Sequence, residues 1–383
     1  MVPSRAMSWT SLRALPLTLV LSLLLVVSRP AHAEESEDML VWDLVTVGPA
    51  PDLFSLWGHS ALCVSKTTFD AGWCFDFGIA REHDPVRLAV GTLRGEPHFA
   101  AVKLPAEVLL AAVQFRDAWS QRLPIEPELG RQLLAELDAS VDGRERYAYQ
   151  PLFRNCTTEL RDRLDRALSG RLSRQAHTRG GVPLRVPAER GLSGQVLPLA
   201  LVALAGGTAL DRPSTAWERM ALPEGLMQGV KERLSAAPSR LLTRSDAPPP
   251  TSPNAGRIVL LLLTALGSAS YLFLARRRPH RQRLLDGALA SWLVLLSLVP
   301  LIGTATTLPS LHQNWMLAVV VPLDALLLLG PRFAGWQKRY VDVRLMTLAL
   351  LAALSLGGVI AQALTVGVLL AALPLGAWRL TRR

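Results

Sequence analysis

Two short stretches of the chain contain residue types that could perform nucleophilic chemistry together. Cys156 follows Asn155 at the point where a loop should become a helix, so we expect its thiol in the first helical turn. The positive end of the helix dipole favours thiolate over thiol. A thiolate needs a partner that accepts and returns protons, and His59, which follows Trp57 and Gly58, is the best-placed candidate. Cys156 and His59 are therefore predicted to form the active site.

A strand pair is predicted to position the histidine. Residues 59–65 and 73–79 alternate as strands around a turn. If Cys63 faces Cys74 across this antiparallel pair, Asp76 becomes the diagonal neighbour of His59. A carboxylate there could hold the imidazole in one tautomer and orientation. A slip of the register by one residue would remove Asp76 from this face.

Residues 1–33 are predicted to be a secretory signal peptide. An apolar run follows Arg5 and Arg13, and Ala31-His32-Ala33 provides a cleavage site of small residues. The same segment could instead remain as an uncleaved anchor. Either reading predicts that residues 34–235 form an exported domain, followed by a linker over residues 236–256.

Export changes the interpretation of the three cysteines. In an oxidising compartment we expect Cys63 and Cys74 to form a disulfide, which leaves Cys156 as the unpaired thiol. The alternative is that Cys63 and Cys74 are buried thiols. His59 could likewise be a hydrogen-bonded structural residue, and Asn155 is explained structurally as a helix N-cap.

The exported part is predicted to be of the α+β class. Further strands are expected over residues 40–48 and 100–104. Helices are expected over residues 105–119, 128–141 and 157–168, and a loop over residues 171–190. The apolar run Val196–Ala205 is too short to cross a bilayer and is predicted to be a buried helix.

Residues 257–383 are predicted to form about five membrane spans. The apolar blocks lie near residues 258–275, 284–304, 314–331, 343–360 and 363–379. Basic residues follow the first, third and last blocks, whereas the loop 306–314 has no Lys or Arg. These positive loops are expected in the cytoplasm, which places the preceding domain outside. The prediction is an inner-membrane, multi-pass protein with a periplasmic catalytic domain.

Charge and motif spacing exclude several other classes of function. The net charge of +10 comes from residues 257–383, which carry 13 Lys and Arg against 3 Asp and Glu. Positive charge that flanks predicted membrane spans indicates association with a membrane and argues against a nucleic-acid-binding function. The sequence has no C-x-x-C or H-x-x-x-H spacing for zinc and no glycine-rich phosphate loop, so no metal or cofactor is predicted.

Several motifs resemble those of a bacterial family whose exported N-terminal domain defines a lipoprotein N-acyltransferase. The similar segments are Phe54–Leu62, Phe75–Gly78, Tyr147–Tyr149 and Phe153–Thr158. The order of histidine before cysteine also resembles circularly permuted papain-like proteins, such as lecithin retinol acyltransferase. The resemblance implies a permuted papain-like fold with His59 and Cys156 as the catalytic pair. Supporting roles would fall to Trp57, Gly58, Tyr149 and Asn155, and Asp76 stands where the family often has a different polar residue.

The resemblance implies acyl transfer in two steps. Cys156 would take a fatty acyl chain from a phospholipid, and the N-terminal amine of a diacylglyceryl-cysteine lipoprotein would then accept it. Two alternatives remain open at this point. The same pair could hydrolyse peptidoglycan peptides or lipid esters, as NlpC-type proteins do, or the domain could be a non-catalytic sensing or assembly module on a membrane anchor.

Overall fold

The computed structural model describes residues 39–50, 54–192, 195–244, 252, 254–329 and 331–382. The predicted signal peptide lies outside the described residues, as does most of the segment that joins residue 244 to residue 254.

An antiparallel sheet of seven strands organises the N-terminal part, in the order β6-β4-β3-β2-β1-β5-β9. The two central strands, β1 and β2, are rich in β-branched and aliphatic residues and are buried over nearly their whole length. The strands are β1 (Val41–Val47), β2 (His59–Ser65), β3 (Trp73–Ala80), β4 (Phe99–Pro105), β5 (Ala118–Leu123), β6 (Arg146–Tyr147) and β9 (Ser239–Leu242). A separate ribbon pairs β7 (Arg179–Gly181) with β8 (Ser214–Thr215).

Within the described residues, eight helices surround the sheet or connect it to the C-terminal region. They are α1 (Pro85–Arg94), α2 (Ala106–Ala112), α3 (Pro127–Asp142), α4 (Cys156–Ala167), α5 (Arg185–Gly191), α6 (Val196–Ala205), α7 (Ala216–Arg219) and α8 (Pro223–Leu234). One face of the central strands packs on α2 through a cluster that includes Val45, Ala61 and Leu109. Helix α4 packs on β2 and β3. The predicted mixture of helices and strands is therefore present.

The strand pair that carries the histidine has the predicted register. Leu62 pairs with Phe75 and Cys63 with Cys74, and a disulfide joins the two cysteines. This confirms the expected pairing of Cys63 with Cys74.

Three predictions for the N-terminal part differ from the structure in their details. The helix expected over residues 105–119 ends at Ala112, and residues 118–123 form β5, which pairs with β1. Pro105 and the acidic first turn do begin a helix, but sheet pairing overrides propensity after Asp117. The loop expected over residues 171–190 contains β7 and the start of α5, and the linker expected from residue 236 begins with β9, the edge strand of the sheet.

The C-terminal part is helical. Its helices are α9 (Ala255–Arg277), α10 (Gln282–Thr304), α11 (Met316–Val319), α12 (Ala334–Leu356) and α13 (Thr365–Leu380). Three segments of the described chain are long and apolar enough to cross a membrane: Ala255–Arg277, Pro279–Thr304 and Pro309–Leu328. Of the five predicted spans, the fourth falls on α12, whose first half is charged, and the fifth on α13, which has 16 residues.

The third of these segments is not one continuous helix. It consists of a 3₁₀ turn at Pro309–Leu311, the short α11 and a second 3₁₀ helix at Pro322–Leu328. A proline has no N–H group for the helical ladder and clashes with the preceding turn, so Pro322 accounts for the second break.

Helix α6 is shorter than a span, as predicted, but it is not buried on all sides. Leu197 is 69% exposed and Leu201 is 44% exposed, whereas Leu199, Ala203 and Leu204 are buried. The prediction of a buried helix therefore holds for one face of α6, and the other face is exposed.

Candidate active site

The thiol of Cys156 occupies the first position of α4. Asn155 is the N-cap, and its side chain accepts a hydrogen bond from the Thr158 N–H at 3.0 Å while the Thr158 hydroxyl accepts one from the Asn155 N–H at 2.8 Å. The Asn155 amide also donates to the carbonyls of Pro151 and Ala221. This reciprocal cap fixes where the helix begins and therefore where the sulfur lies.

The sulfur is buried against the start of β2. Cys156 is 8% exposed and is the free cysteine of the described chain. The backbone N–H of Ser60 donates a hydrogen bond to the sulfur. Thr157 joins the two elements, because its hydroxyl lies 3.2 Å from the Ser60 hydroxyl and 3.8 Å from Sγ. The position at the helix N-terminus and the N–H of Ser60 both favour the thiolate form of Cys156.

His59 lies between the sulfur and a carboxylate. Its Nε2 is 2.9 Å from Asp76 Oδ2, a close ion pair whose angle departs from that of a linear hydrogen bond. The other carboxylate oxygen accepts the Gly78 N–H at 2.6 Å, so both oxygens of Asp76 are engaged. The imidazole also contacts Cys156. Since Nε2 faces Asp76, Nδ1 is the nitrogen that remains for the sulfur.

The charges of His59, Cys156 and Asp76 shift one another's pKa values. Burial lowers the pKa of His59, but the negative charges of Asp76 and Cys156 outweigh it, and the pKa lies well above its ordinary value. Burial raises the pKa of Cys156, yet the His59 charge and the Ser60 N–H bring it below the ordinary thiol value. Burial also raises the pKa of Asp76, and the His59 charge reverses this shift. Both shifts favour the form of the pair in which Cys156 is a thiolate and His59 an imidazolium.

Two glycines make room for this arrangement. A Cβ atom at Gly78 would lie 2.4 Å from His59 Cε1, so the imidazole packs directly on the backbone there. Gly58 has a φ of +92° and a Cβ there would lie 2.4 Å from the Val47 carbonyl oxygen, so this turn requires glycine on both counts. Gly78 has a positional role that composition could not reveal, although it lies within one of the motifs that carry the resemblance.

Tyr149 lies in an aromatic cluster beside the sulfur. Its ring stacks on Phe99 at 4.7 Å and meets the edge of Phe54 at 5.3 Å. Burial, followed by the negative charge of Cys156, raises the pKa of Tyr149 far above its ordinary value. Its hydroxyl therefore remains a neutral hydrogen-bond donor. The neighbouring Tyr147 has a different role, because its hydroxyl donates to the Phe77 carbonyl at 2.7 Å.

Trp57 connects the histidine turn to a cavity of about 590 Å³. Its indole N–H donates to the Ala188 carbonyl at 2.8 Å, and its ring packs on Gly191. Pro223 lines the same cavity and lies 3.6 Å from a Cβ placed on Gly58. The cavity thus adjoins the residue that precedes His59, and its wall combines apolar side chains with arginines.

The site lies at the end of the sheet from which the C-terminal helices begin. His59 pairs with Val47, Val47 with Ala118, and Ala118 with Leu242 at the end of β9, from which the chain continues to α9. Leu56, three residues before His59, shares a buried apolar cluster with Leu199 of α6, and Ala255 of α9 packs against this cluster. The strand ladder and this cluster therefore place the histidine turn beside the first candidate span.

All the residues that the sequence singled out for the site are accounted for. Cys156, His59 and Asp76 are together, Asn155, Gly58 and Tyr149 position or adjoin them, and Cys63 and Cys74 brace the strand pair further along. The contributions of Ser60 and Gly78 were not predicted. Their signal lies in the tertiary contacts and not in residue type. In the described part of the chain, no group of three or more His, Cys, Asp or Glu side chains is arranged to hold a metal ion.

Comparison with known proteins gives one match. Residues 38–188 match the family model of the Lnb N-terminal periplasmic domain, a segment that includes His59, Asp76 and Cys156. No curated protein and no solved structure matches the chain significantly. Together with the three candidate spans, the match indicates a membrane protein with an exported domain. The part of the chain that carries the candidate active site is thus similar to the Lnb N-terminal periplasmic domain.

Proposed function

We propose that the protein is an acyltransferase that uses Cys156 to move a fatty acyl chain from a phospholipid to the N-terminal amine of a diacylglyceryl-cysteine lipoprotein. The observation that carries this proposal is the grouping of buried Cys156 with His59, which Asp76 contacts at 2.9 Å, at the end of the sheet beside α6 and α9. A nucleophile in that position suits substrates that reside in a bilayer. The order of the active residues and the α+β architecture are consistent with a permuted papain-like domain.

In the first step the thiolate of Cys156 attacks the carbonyl carbon of a glycerol ester. A C–S bond forms, the C–O bond to glycerol breaks, and the His59 imidazolium gives its proton to the departing alkoxide. The products are an acyl thioester and a lysophospholipid. Asp76 stabilises the imidazolium and holds the ring in place throughout this step.

In the second step the lipoprotein amine attacks the thioester carbonyl. Neutral His59 accepts the amine proton, the C–S bond breaks, and the sulfur leaves as thiolate, which restores the ion pair. Water could compete as an acceptor, so the acyl-enzyme must be shielded from it. The burial of Cys156, at 8% exposure, supports this requirement.

The oxyanion that forms in each step needs hydrogen-bond donors close to Cys156. The first N–H groups of a helix have no partner within the helix, and in α4 that of Thr158 is already capped by Asn155. We propose that the N–H groups of Cys156 and Thr157 face the oxyanion. We propose the neutral hydroxyl of Tyr149, whose pKa is raised by the charge of Cys156, as a further donor.

We further propose an inner-membrane, multi-pass protein whose catalytic domain lies in the periplasm. The match to a periplasmic domain and the basic residues that follow α9 support this orientation. A tether of several spans keeps the domain at the bilayer surface and raises the effective concentration of lipid substrates.

A test on the full-length protein in phospholipid vesicles separates this function from its alternatives. With a diacylglyceryl-cysteine peptide as acceptor, we expect an adduct of fatty-acyl mass on Cys156 and an N-acylated peptide, both absent in Cys156→Ala. The matched control is His98→Ala, because His98 also pairs with a carboxylate, Glu96, at 3.0 Å but lies outside the site. Released fatty acid with an unmodified peptide would indicate a hydrolase, and the absence of any adduct would contradict the proposal.

A further inference from the structure

Helix α6 presents an apolar face that no part of the described chain covers. Every residue of Val196–Ala205 is aliphatic or proline. Leu197 and Leu201 lie four residues apart, hence on one side of the helix, and are 69% and 44% exposed. A helix that is apolar all round is expected in a protein core or in a membrane, and this side of α6 is not in a core.

The opposite face of α6 belongs to the C-terminal bundle. Helix α6 packs on α9 and α10, both candidate spans. Leu204 is part of the same buried cluster as Tyr271 of α9 and Leu293 of α10. At Gly256 the backbones of α9 and α6 approach so closely that a Cβ would lie 2.4 Å from the Ala200 nitrogen. The open face of α6 is thus continuous with the outer surface of the candidate spans.

The carbonyl groups at the end of α6 are satisfied by buried side chains. Asn314 donates to the Leu204 carbonyl at 2.7 Å, and Gln362 donates to the Gly206 carbonyl at 2.9 Å. The two amides also bond to each other at 2.8 Å, and Arg185 donates to the Val202 carbonyl at 3.1 Å. A helix that ends in water does not need such partners, whereas one that ends in hydrocarbon does.

We propose that α6 is embedded in the membrane leaflet on the exported side, with Leu197 and Leu201 in contact with phospholipid acyl chains. At 1.5 Å per residue, ten residues reach about 15 Å, roughly half of the hydrocarbon thickness. On its inner face Leu199 belongs to the same apolar cluster as Leu56, which lies three residues before His59. The helix therefore places lipid next to the histidine turn. The placement in lipid stands by itself, and only the delivery of an acyl donor depends on the proposed function.

Site-directed fluorescence quenching on the full-length protein tests the placement. In a Cys156→Ala background the two other cysteines are joined as a disulfide, so Leu201→Cys provides one thiol for an environment-sensitive dye. Reconstituted in phosphatidylglycerol and phosphatidylethanolamine vesicles, we expect quenching by spin-labelled acyl chains but not by aqueous iodide. Leu262→Cys on α9, 57% exposed, is the control for a lipid position, and Val108→Cys on α2, 48% exposed, is the control for a domain surface.

Each result of this experiment decides the proposal. Quenching by spin-labelled acyl chains at residue 201 that equals the quenching at residue 262 supports the proposal. Quenching by iodide that matches residue 108 overturns it, because α6 would then lie in water. Protection from both quenchers together with dye self-quenching also overturns it, since a second copy of the chain would then cover the face.

A second measurement tests delivery apart from catalysis. We expect Leu197→Ser with Leu201→Ser to reduce acylation of Cys156 by vesicle phospholipid while alkylation by a water-soluble reagent keeps its wild-type rate. Val108→Ser is the matched control and should leave both rates unchanged. If lipid quenching at residue 201 is found but no phospholipid ever acylates wild-type Cys156, the proposed reaction is wrong and the placement of α6 stands. Equal loss of both rates would reject the delivery role, because the active site itself would then be disturbed.

Discussion

The sheet domain and the C-terminal bundle each contain a buried carboxylate that contacts a cationic side chain, and of these two pairs the one in the sheet domain belongs to the candidate active site. Asp76 in the sheet domain contacts His59 at 2.9 Å, and Asp324 in the C-terminal bundle contacts Arg344 at 3.2 Å. Both carboxylates are buried. Burial of a charge pair alone therefore does not distinguish a structural site from a chemical one.

The difference lies in how fully the partners are occupied. All three nitrogens of Arg344 donate within the bundle, to Asp324 and to the carbonyls of Ala318 and Val319, and Tyr340 donates to Asp324 at 2.6 Å. These hydrogen bonds connect α11 to the following 3₁₀ helix across the break. At the other site the imidazole is 16% exposed and faces a nucleophile. A hydrogen-bond network in which every donor and acceptor is paired holds its side chains in one conformation. A network with a donor or acceptor still available can exchange a proton with a substrate.

The largest effect that this comparison predicts is the loss of chemistry without the loss of the fold. In Cys156→Ala we expect no acyl-enzyme at all, because no other free thiol is present in the described chain. The free energy of unfolding should change little, since the Asn155 cap does not use the sulfur. Intact-mass spectrometry and thermal unfolding in detergent micelles measure the two quantities, and a remaining acyl adduct would place the nucleophile elsewhere.

The converse is expected for Arg344→Met, where the fold should suffer and the chemistry should not. Leaving Asp324 buried without its cation should cost about 3–5 kcal/mol of unfolding free energy. Alkylation of Cys156 per folded molecule should remain at its wild-type rate. The matched control is Arg339→Met, an exposed residue of the same helix, which should stay within about 0.5 kcal/mol of wild type. Equal stability of the two variants would contradict this account.

The arrangement of the candidate site was predictable where local signals determine it. The spacing of Cys63 and Cys74 set the register, and the register brought Asp76 to His59. Asn155 before Cys156 predicted the start of α4. In each case the deciding interaction is between near neighbours in the sequence or directly opposite partners in one hairpin.

The parts that could not be predicted depend on distant partners. Residues 118–123 form a strand because β1 is available to pair with them, and Ser239–Leu242 become a strand because β5 is exposed at the edge. The third candidate span is broken, and its break is stabilised by Arg344 from a later helix. Pairing between residues far apart in the sequence determines these elements. Local hydropathy and propensity do not show which distant partners are available.

The mutual pKa shifts of His59 and Cys156 lead to a prediction about the pH dependence of the site. Asp76→Asn removes a negative charge that favours the imidazolium, so the pKa of His59 should fall. The Asp76 charge itself raises the pKa of Cys156, but the His59 charge lowers it by more, so loss of the imidazolium should raise the pKa of Cys156. In the wild type we expect alkylation of Cys156 to persist well below the ordinary thiol pKa of about 8.5, and in the variant to require higher pH. Acyl transfer at neutral pH should decrease about 100-fold.

The exposed carboxylate of Asp70 offers the control for this measurement, because Asp70→Asn lies on the turn between the same two strands. Its pH profile of alkylation should coincide with that of the wild type. A profile that shifts equally in both variants would mean that net charge, and not the contact of Asp76 with His59, sets the thiolate.

Crowding the imidazole should have an intermediate effect. In Gly78→Ala the new methyl group would lie 2.4 Å from His59 Cε1 and 3.2 Å from Asp76 Oδ1, so the ring must move. We expect a loss of about 1–3 kcal/mol in transition-state stabilisation, or roughly 5- to 150-fold in rate. Gly376→Ala on α13, where nothing lies within 4 Å, should leave the rate unchanged. Full activity of Gly78→Ala would show that the close packing of the ring is not required.

The smallest effect is expected for Tyr149→Phe. The phenyl ring keeps its stacking on Phe99, and only the hydroxyl beside the sulfur is lost. Since a neutral donor contributes at most about 1.5 kcal/mol, the rate of acyl-enzyme formation should fall by no more than roughly tenfold. The alkylation rate of Cys156 should not fall, because a donor to the oxyanion acts on the transition state and not on the thiolate. A matching loss in alkylation would instead assign Tyr149 to the ion pair, and the network of His59, Cys156 and Asp76 would then have four members.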